Sequence, residues 1–156
     1  MRSMSLIKLM TVVAACALLV LSGCVGSSLG DPKKTVISFF GAMEKDDKAA
    51  LAHLLDLAEL MKNVSEDYAF HSDDSARVFT SPQQILDDLT GDGLTKSRWF
   101  SYQRIINKAD VMGETATVEV TFVDKDLSKG YRTKFGLHVQ NGKWKIYSFK
   151  AIPDEG

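Results

Sequence analysis

Apolar residues recur at helical spacing in the segment that begins at residue 31. Asp31 and Pro32 form an N-cap followed by proline at the first helical position, which is a strong helix start. Apolar side chains then fall at i, i+3, i+4 and i+7, on one helical stripe, and they are Val36, Phe39, Phe40 and Met43. The pattern predicts an amphipathic helix that ends near Lys45.

Two more helices are predicted in the first half of the chain. Asp46 and Asp47 open the second, whose apolar stripe consists of Leu51, Leu54, Leu55 and Ala58. The third begins at Ser81, where proline stands at the first helical position and Gln84 can reach back to the Ser81 amide as in a capping box. It runs to about Leu89 and is stopped by the glycines of 91–93. Residues 63–80 lack a clear period and are predicted to be irregular, with a short strand near 77–79.

After Trp99 the apolar period changes from helical to two, which is typical of half-buried antiparallel strands. Gly113 and Gly130 stand at two of the predicted turns. The pattern predicts a meander of about four strands, near 99–108, 114–124, 131–140 and 143–151. Helices first and a meander last predict an α+β fold with the helices on one face of a curved antiparallel sheet.

The last two strands have a predicted register. Asn141-Gly142 favours a type I′ turn, which places Gln140 opposite Lys143. Counting outward pairs Leu137 with Ile146, and both strands then put their apolar residues on one face.

The same count places two aromatics on the opposite, nominally polar face. Tyr147 falls across from Gly136, where it can cover exposed backbone, and Phe149 falls across from Lys134. Contiguous exposed apolar surface often marks a contact site. We therefore predict that Tyr147 and Phe149 belong to a homodimer or partner interface with a basic rim, formed by Lys134, His138 and Lys145. A C-terminal tail that folds back over the patch is the alternative.

The N-terminal residues have the pattern of an export signal. Arg2 and Lys8 lie in a start without acidic residues, and the apolar run 9–21 is shorter than the ~20 residues of a spanning helix. Residues 1–23 are therefore predicted to be a signal peptide.

The end of this signal, Leu21-Ser22-Gly23-Cys24, resembles the bacterial lipobox. The resemblance implies that the Cys24 thiol receives a diacylglyceryl group and that a peptidase cuts between Gly23 and Cys24. A lipobox at Cys16 is the first alternative, but the signal peptide would then have too short an apolar run, and the mature chain would begin with the hydrophobic residues 17–21. An uncleaved anchor with a free Cys24 thiol is the other alternative. We expect lipidation at Cys24.

The mature chain would be residues 24–156. Without Arg2 and Lys8 the basic count falls from 19 to 17 against 20 acidic residues, a net charge of −3, so no nucleic-acid partner is expected. With Cys16 removed and Cys24 acylated, no disulfide can form inside the mature chain. Residues 25–30 form a flexible tether, so that 24–30 connect the membrane to a single domain at 31–156.

The order of elements resembles the nuclear transport factor 2-like superfamily, also called ketosteroid isomerase-like or cystatin-like, and especially its small bacterial lipoproteins of unknown function. The resemblance covers nearly all of the mature chain. It rests on the opening helix 35–40, the acidic break 45–47 and the closing strand 142–147. It implies a cone-shaped fold with a cavity between helices and sheet, and a frequent dimer surface on the outer face. None of the residues that carry it is a catalytic motif.

Catalytic candidates are weak. Enzymes of that superfamily place Asp, Tyr or His in the cone, and the stretch 68–74 offers Tyr68, His71, Asp73 and Asp74, although such composition is ordinary for a solvated turn. Neither a metal nor another cofactor is expected, since His71 has no second His or Cys at ligand spacing. His53 is expected on a helix surface and His138 on the outer face, so no shared histidine site is predicted.

The sequence therefore favours a lipid-anchored, extracytoplasmic binding or protein-interaction domain. The alternative is a small cavity enzyme of the isomerase, dehydratase or hydrolase type. The expected partners are the membrane, a second copy or an envelope protein, with a small-molecule ligand also open. The expected location is the cell envelope. Val25 is not the aspartate associated with retention in the inner membrane, which indicates the periplasmic face of the outer membrane where the host has one.

Overall fold

The computed structural model describes residues 29–63, 79–124 and 130–152, of which the side chain of residue 151 is not described. The described segments form five helices and one antiparallel sheet. The helices are α1 Pro32–Glu44, α2 Lys48–Leu54, α3 Leu57–Asn63, α4 Pro82–Asp88 and α5 Leu94–Ser101. The strands are β1 Gln103–Met112, β2 Thr115–Val123, β3 Gly130–Gln140 and β4 Lys143–Ile152, in the order β1-β2-β3-β4. The predicted α+β class and the helices-then-meander order are confirmed.

Helix α1 begins where its capping sequence predicts. The Asp31 carboxylate accepts a hydrogen bond from the Lys33 amide at 2.9 Å, and Pro32 occupies the first turn. The predicted stripe is the buried face of α1, and Phe39 and Met43 are fully buried in it. This face packs on β1, β2 and β4, so α1 lies across the sheet.

The second predicted helix is two helices. α2 ends at Leu54, and Leu55 forms a parallel bridge with Ile146 on the free edge of β4. The Asp56 amide donates to the Ile146 carbonyl at 2.8 Å, so the backbone leaves the helix here before α3 begins. Ala58 was predicted on the buried stripe, but it is exposed. Fully buried Leu60 contributes to the core instead.

The middle of the chain differs from its prediction in two places. Gln84 accepts from the Thr80 amide at 2.7 Å and not from the Ser81 amide, so the capping side chain reaches one residue further back. The segment predicted as the start of a strand at 99 is the end of α5, and β1 begins only at Gln103. Of the predicted strand near 77–79, only Phe79 is described. It is buried and lies outside the named strands.

The core lies between α1, α5 and the inner face of the sheet. Phe135 lies 5.8 Å from Phe39 and 5.6 Å from Trp99 between ring centroids. Phe122 stacks on Trp99 at 5.5 Å. Phe40 and Phe135 both lie between the helices and the sheet, with 5.7 Å between their ring centroids. No described helix is long and apolar enough to cross a membrane.

Candidate functional site

Tyr147 lies on the outer face of the sheet, where a β-bulge interrupts the pairing of β3 with β4. The predicted register holds from Gln140 opposite Lys143 to Leu137 opposite Ile146. Gly136 then pairs with Ser148, so Tyr147 is the additional residue on β4. A bulge of this kind lets two successive residues oppose one residue on the partner strand.

The predicted place of Phe149 on the outer face is wrong. Because the bulge shifts the register by one residue, Phe149 pairs with Phe135 and not with Lys134. Phe149 is fully buried, and its ring lies 4.9 Å from that of Phe135. The predicted two-aromatic interface therefore retains only Tyr147 on the outer face.

Tyr147 has a defined position over the sheet. Its ring covers Gly136, since a Cβ built on Gly136 would lie 3.0 Å from Cζ of Tyr147. The same ring stacks on the imidazole of His138 at 5.0 Å between centroids, with 24° between the planes. The carbonyl of Tyr147 also accepts from Asn63 Nδ2 of α3 at 3.4 Å. The predicted cover of the strand glycine and the outer-face location of His138 are confirmed.

Asp56 fixes His138 from the other side. One of its carboxylate oxygens accepts from the Glu59 amide at 3.1 Å and so caps α3. The other lies 2.9 Å from His138 Nε2 and accepts from Gln140 Nε2 at 3.2 Å. Asp56 is 8 % exposed, so its carboxylate oxygens bond to neighbouring groups of the protein and not to solvent. We name the arrangement of Asp56, His138, Tyr147 and Gly136 the outer-face cluster.

A pocket of about 200 Å³ lies beside this cluster. Most of the residues that line it are of polar types, and two of them, Lys134 and Lys150, stand opposite each other in the β3–β4 register. Arg132 is on the same face, 3.8 Å from Glu119, which also faces Lys134 across β2 and β3. This part of the face is therefore more basic than acidic, although the whole sequence has a net charge of −1. Of the side chains predicted for the rim, Lys134 and His138 lie beside Tyr147, whereas Lys145 donates to the carbonyl of His53.

The interior of the fold is an aromatic core. Two polar side chains of β3 face it, those of Tyr131 and Thr133. The Tyr131 ring stacks on Phe122 at 4.8 Å, and burial raises the pKa of the Tyr131 phenol far above its usual value. Its hydroxyl therefore stays protonated at neutral pH. Thr133 Oγ1 is buried and has no hydrogen-bond partner in the part of the chain that the structure describes. Strand periodicity would have placed Tyr131 on the inner face.

The remaining predicted site residues fall in two groups. Gly23, Cys24, Tyr68, His71, Asp73 and Asp74 lie outside the described residues. His53 is exposed on α2, as predicted. Within the described ranges no group of three or more potential ligands could hold a metal ion.

Gly136→Ala should move Tyr147. The new methyl group would clash with Ser148 Oγ and press on the Tyr147 ring, so the ring should leave His138. We expect a loss of about 1–3 kcal/mol in the free energy of unfolding, as for other overpacked sites. NMR of the His138 imidazole should show the loss of the ring-current shift that a stacked tyrosine produces.

Gly41→Ala is the matched control, because a Cβ at Gly41 would meet nothing within 4 Å. In the middle of α1 this change should stabilise the protein slightly, by about 0.5–1 kcal/mol. An unchanged His138 shift in the Gly136→Ala variant would show that Tyr147 is not held over the glycine.

The comparisons with known proteins found similarity to solved structures but no similarity to a protein family or a curated protein at the level of sequence. No family model and no curated protein matches the chain. Among solved structures, a chain named Rd1NTF2_05 with five substitutions has a TM-score of 0.50 and 13 % identity, over 77 % of this chain and 95 % of that chain.

Two bacterial structures have the same family name. A Campylobacter jejuni protein named as an NTF2-like transpeptidase has a TM-score of 0.45 and 15 % identity, over 75 % of this chain and 97 % of its own. An NTF2-like protein from Burkholderia thailandensis has a TM-score of 0.41 and 15 % identity, over 81 % of this chain and 92 % of its own. At these identities the likeness concerns the fold alone. With its helices on one face of a four-stranded antiparallel meander, the described domain has the NTF2-like fold.

Proposed function

We propose that this protein is a lipid-anchored, extracytoplasmic binding module that holds a protein partner on the outer face of its sheet. One observation carries the choice of a binding module over a cavity enzyme: aromatic rings occupy the space between the helices and the sheet where the fold would otherwise enclose a cavity. Phe39 alone lies within about 6 Å, between centroids, of Phe40, Trp99, Phe135 and Phe149. The lipid anchor is inferred from the N-terminal sequence.

The packed interior of the described domain offers few side chains that could act as a catalytic acid or base. Tyr131, the ionisable side chain of β3 that faces it, is kept neutral by burial and can donate a proton only in a hydrogen bond. General acid–base catalysis needs a group whose pKa lies near the working pH. Tyr131 does not meet this condition, so the interior supports a structural role.

The outer-face cluster has properties of a contact site. Tyr147 is an amphipathic aromatic held rigidly by His138 and Gly136, and such anchors are enriched where proteins meet. Asp56 is already satisfied by three hydrogen bonds, so it serves to position His138. The groups that face solvent beside it are the half-buried tyrosine ring and the exposed side chain of Lys134.

Charge favours an acidic partner over a second copy. A two-fold dimer places the same patch of both copies against itself, so the exposed Lys134 of one copy would come close to the Lys134 of the other. Like charges at an interface are unfavourable by several kcal/mol. The burial of Phe149 also removes half of the apolar surface that a dimer was predicted to use. We therefore propose an acidic surface of an envelope protein as the occupant.

Photo-cross-linking in membranes tests this proposal. A benzophenone amino acid in place of Tyr147 should form an adduct with one protein, and mass spectrometry should locate the cross-link in an acidic segment of it. Lys134→Glu should abolish the adduct because it reverses the charge beside the tyrosine. Lys108→Glu is the control, since Lys108 is an exposed lysine on β1 and does not line the pocket.

Three results would contradict the proposal. The first is an adduct of twice the chain mass, which would indicate a homodimer. The second is an adduct that still forms in the Lys134→Glu variant. The third is an amount of adduct no greater than that obtained with the benzophenone at Leu94.

A further inference from the structure

We propose that the end of the domain that carries the β1–β2 and β3–β4 turns lies directly on an anionic membrane surface, with Met112 at the lipid and a lysine-lined groove at the headgroups. The inference rests on the proposed lipid anchor for the position of the chain. It assigns an orientation and a contact surface that the anchor alone does not require.

The first described residues, Leu29 and Gly30, lie at the end of the domain that carries the β3–β4 turn. The indole nitrogen of Trp144 on β4 donates a hydrogen bond to the carbonyl of Gly30, so the tether leaves the domain beside the β3–β4 turn. Cys24 and Gly30 are six positions apart, a separation that an extended chain spans with roughly 20 Å. A lipid on Cys24 would therefore keep this end of the domain close to the bilayer.

An open groove of about 410 Å³ lies next to Gly30. Its charged lining consists of Lys34 on α1, Lys143 and Lys145 on β4, and Asp31. Lys145 donates to the carbonyl of His53, whereas Lys34 and Lys143 are exposed and form no ion pair with any residue that the structure describes. The groove therefore presents two available ammonium groups and a net positive charge towards the membrane side.

The β1–β2 turn reaches the same end of the sheet. Thr115 at the start of β2 pairs with His138, and Val139 donates to the carbonyl of Glu114 at 2.9 Å. Because the sheet has four adjacent strands, the two turns are about 10–15 Å apart. At the β1–β2 turn Met112 is 80 % exposed, the highest exposure among the large apolar side chains of the described residues. Val111 beside it is 53 % exposed.

An exposed apolar tip next to basic side chains matches the chemistry of a membrane interface. Apolar side chains gain from entering the boundary of the acyl region, and lysines gain from anionic headgroups within a Debye length. The groove holds one acidic group, Asp31, against Lys34, Lys143 and Lys145. The other carboxylates at this end lie outside the groove: Asp56 is bonded to His138 and Gln140, and Asp110 and Glu114 flank Met112. The groove is therefore where the positive excess lies. The positive excess explains why an anionic surface, rather than a neutral one, is the expected occupant.

Site-specific labelling tests the orientation on the lipidated protein itself. Since Cys16 would be removed and Cys24 acylated, a cysteine in place of Met112 is the only free thiol and can carry an environment-sensitive fluorophore. In vesicles of phosphatidylcholine with phosphatidylglycerol, the label should lose quenching by aqueous iodide and gain quenching by brominated lipids. The same label at Ile105, exposed on the same strand and about 20 Å away, should stay accessible to iodide.

The basic groove is tested in the same assay. Lys34→Gln with Lys143→Gln should restore iodide quenching at position 112, and so should pure phosphatidylcholine vesicles. Lys48→Gln with Lys62→Gln, which removes the same charge elsewhere, should not. The orientation proposal is overturned if iodide quenches the labels at 112 and 105 equally, or if the groove variant changes nothing. Flotation with the vesicles and the mass of Cys24 report separately on the anchor, so a failed anchor and a failed orientation give different results.

Discussion

Phe135→Ala should lower the free energy of unfolding by about 3–5 kcal/mol, a large share of the 5–15 kcal/mol typical of a domain. The Phe135 ring is fully buried and lies within 6 Å, between centroids, of Phe39, Phe40, Trp99 and Phe149. Alanine would leave a cavity bounded by rings that belong to different elements, so the surroundings cannot collapse to fill it. Phe40→Ala should have a similar effect. Denaturant melts of the purified domain would measure both.

Phe100→Ala is the matched control for the same change of side chain. Phe100 is half-buried at the end of α5, where the Arg104 guanidinium lies 3.9 Å from its ring centroid. Its truncation should cost clearly less than that of Phe135. Removal of 25–30, which takes away Leu29 from the edge of the core and the Gly30 carbonyl that accepts from the Trp144 indole, should cost about 1–3 kcal/mol. Equal midpoints for Phe135→Ala and the unmodified protein would reject the packing of the sheet against α1.

The elements that the sequence predicts correctly are those in which local chemistry and apolar spacing agree. Asp31 and Pro32 start α1, and the stripe behind them is buried as its spacing predicts. Asn141 and Gly142 both have positive φ, as a type I′ turn requires, and the register next to them is the predicted one. Each of these signals lies within a few residues of the feature that it determines.

Two helix predictions were wrong: the second predicted helix is two helices, and α5 was not predicted. Each error has a cause in the local sequence. Asp56-Leu57-Ala58-Glu59 is itself a helix start with an acidic residue at the third position, and Asp56 does cap α3. The spacing of leucines across it masked this signal. Helix α5 has few apolar residues and a glycine N-cap without a side-chain hydrogen bond, so its pattern was too weak to predict.

The outer-face cluster could be predicted only in part, because a bulge cannot be read from alternation alone. Tyr147 and Phe149 are two residues apart, and a regular strand would place both on the same face. Insertion of one residue at Tyr147 sends Phe149 to the core. The contact of Asp56 with His138 joins residues 82 positions apart and depends on the break between α2 and α3. No local pattern contains that information.

Cys24→Ala should leave an uncleaved and unlipidated precursor. Only a thiol can receive the diacylglyceryl group, and lipoprotein processing follows that modification, so the signal should remain attached. Two or three acyl chains hold a protein stably on a membrane, whereas a single chain binds only marginally. The variant should therefore migrate at the precursor mass and should lose the acyl-dependent partitioning of the mature form into detergent.

Cys16→Ala is the matched control, since the same replacement at the other cysteine of the chain removes the alternative lipobox and leaves Leu21-Ser22-Gly23-Cys24 intact. This variant should be processed and lipidated normally. Mass spectrometry of the mature N-terminal peptide distinguishes the possibilities, because a diacylglyceryl group adds a defined mass to Cys24. Unmodified Cys24, or processing of Cys24→Ala to the mature size, would show that the protein is not a lipoprotein anchored at this residue.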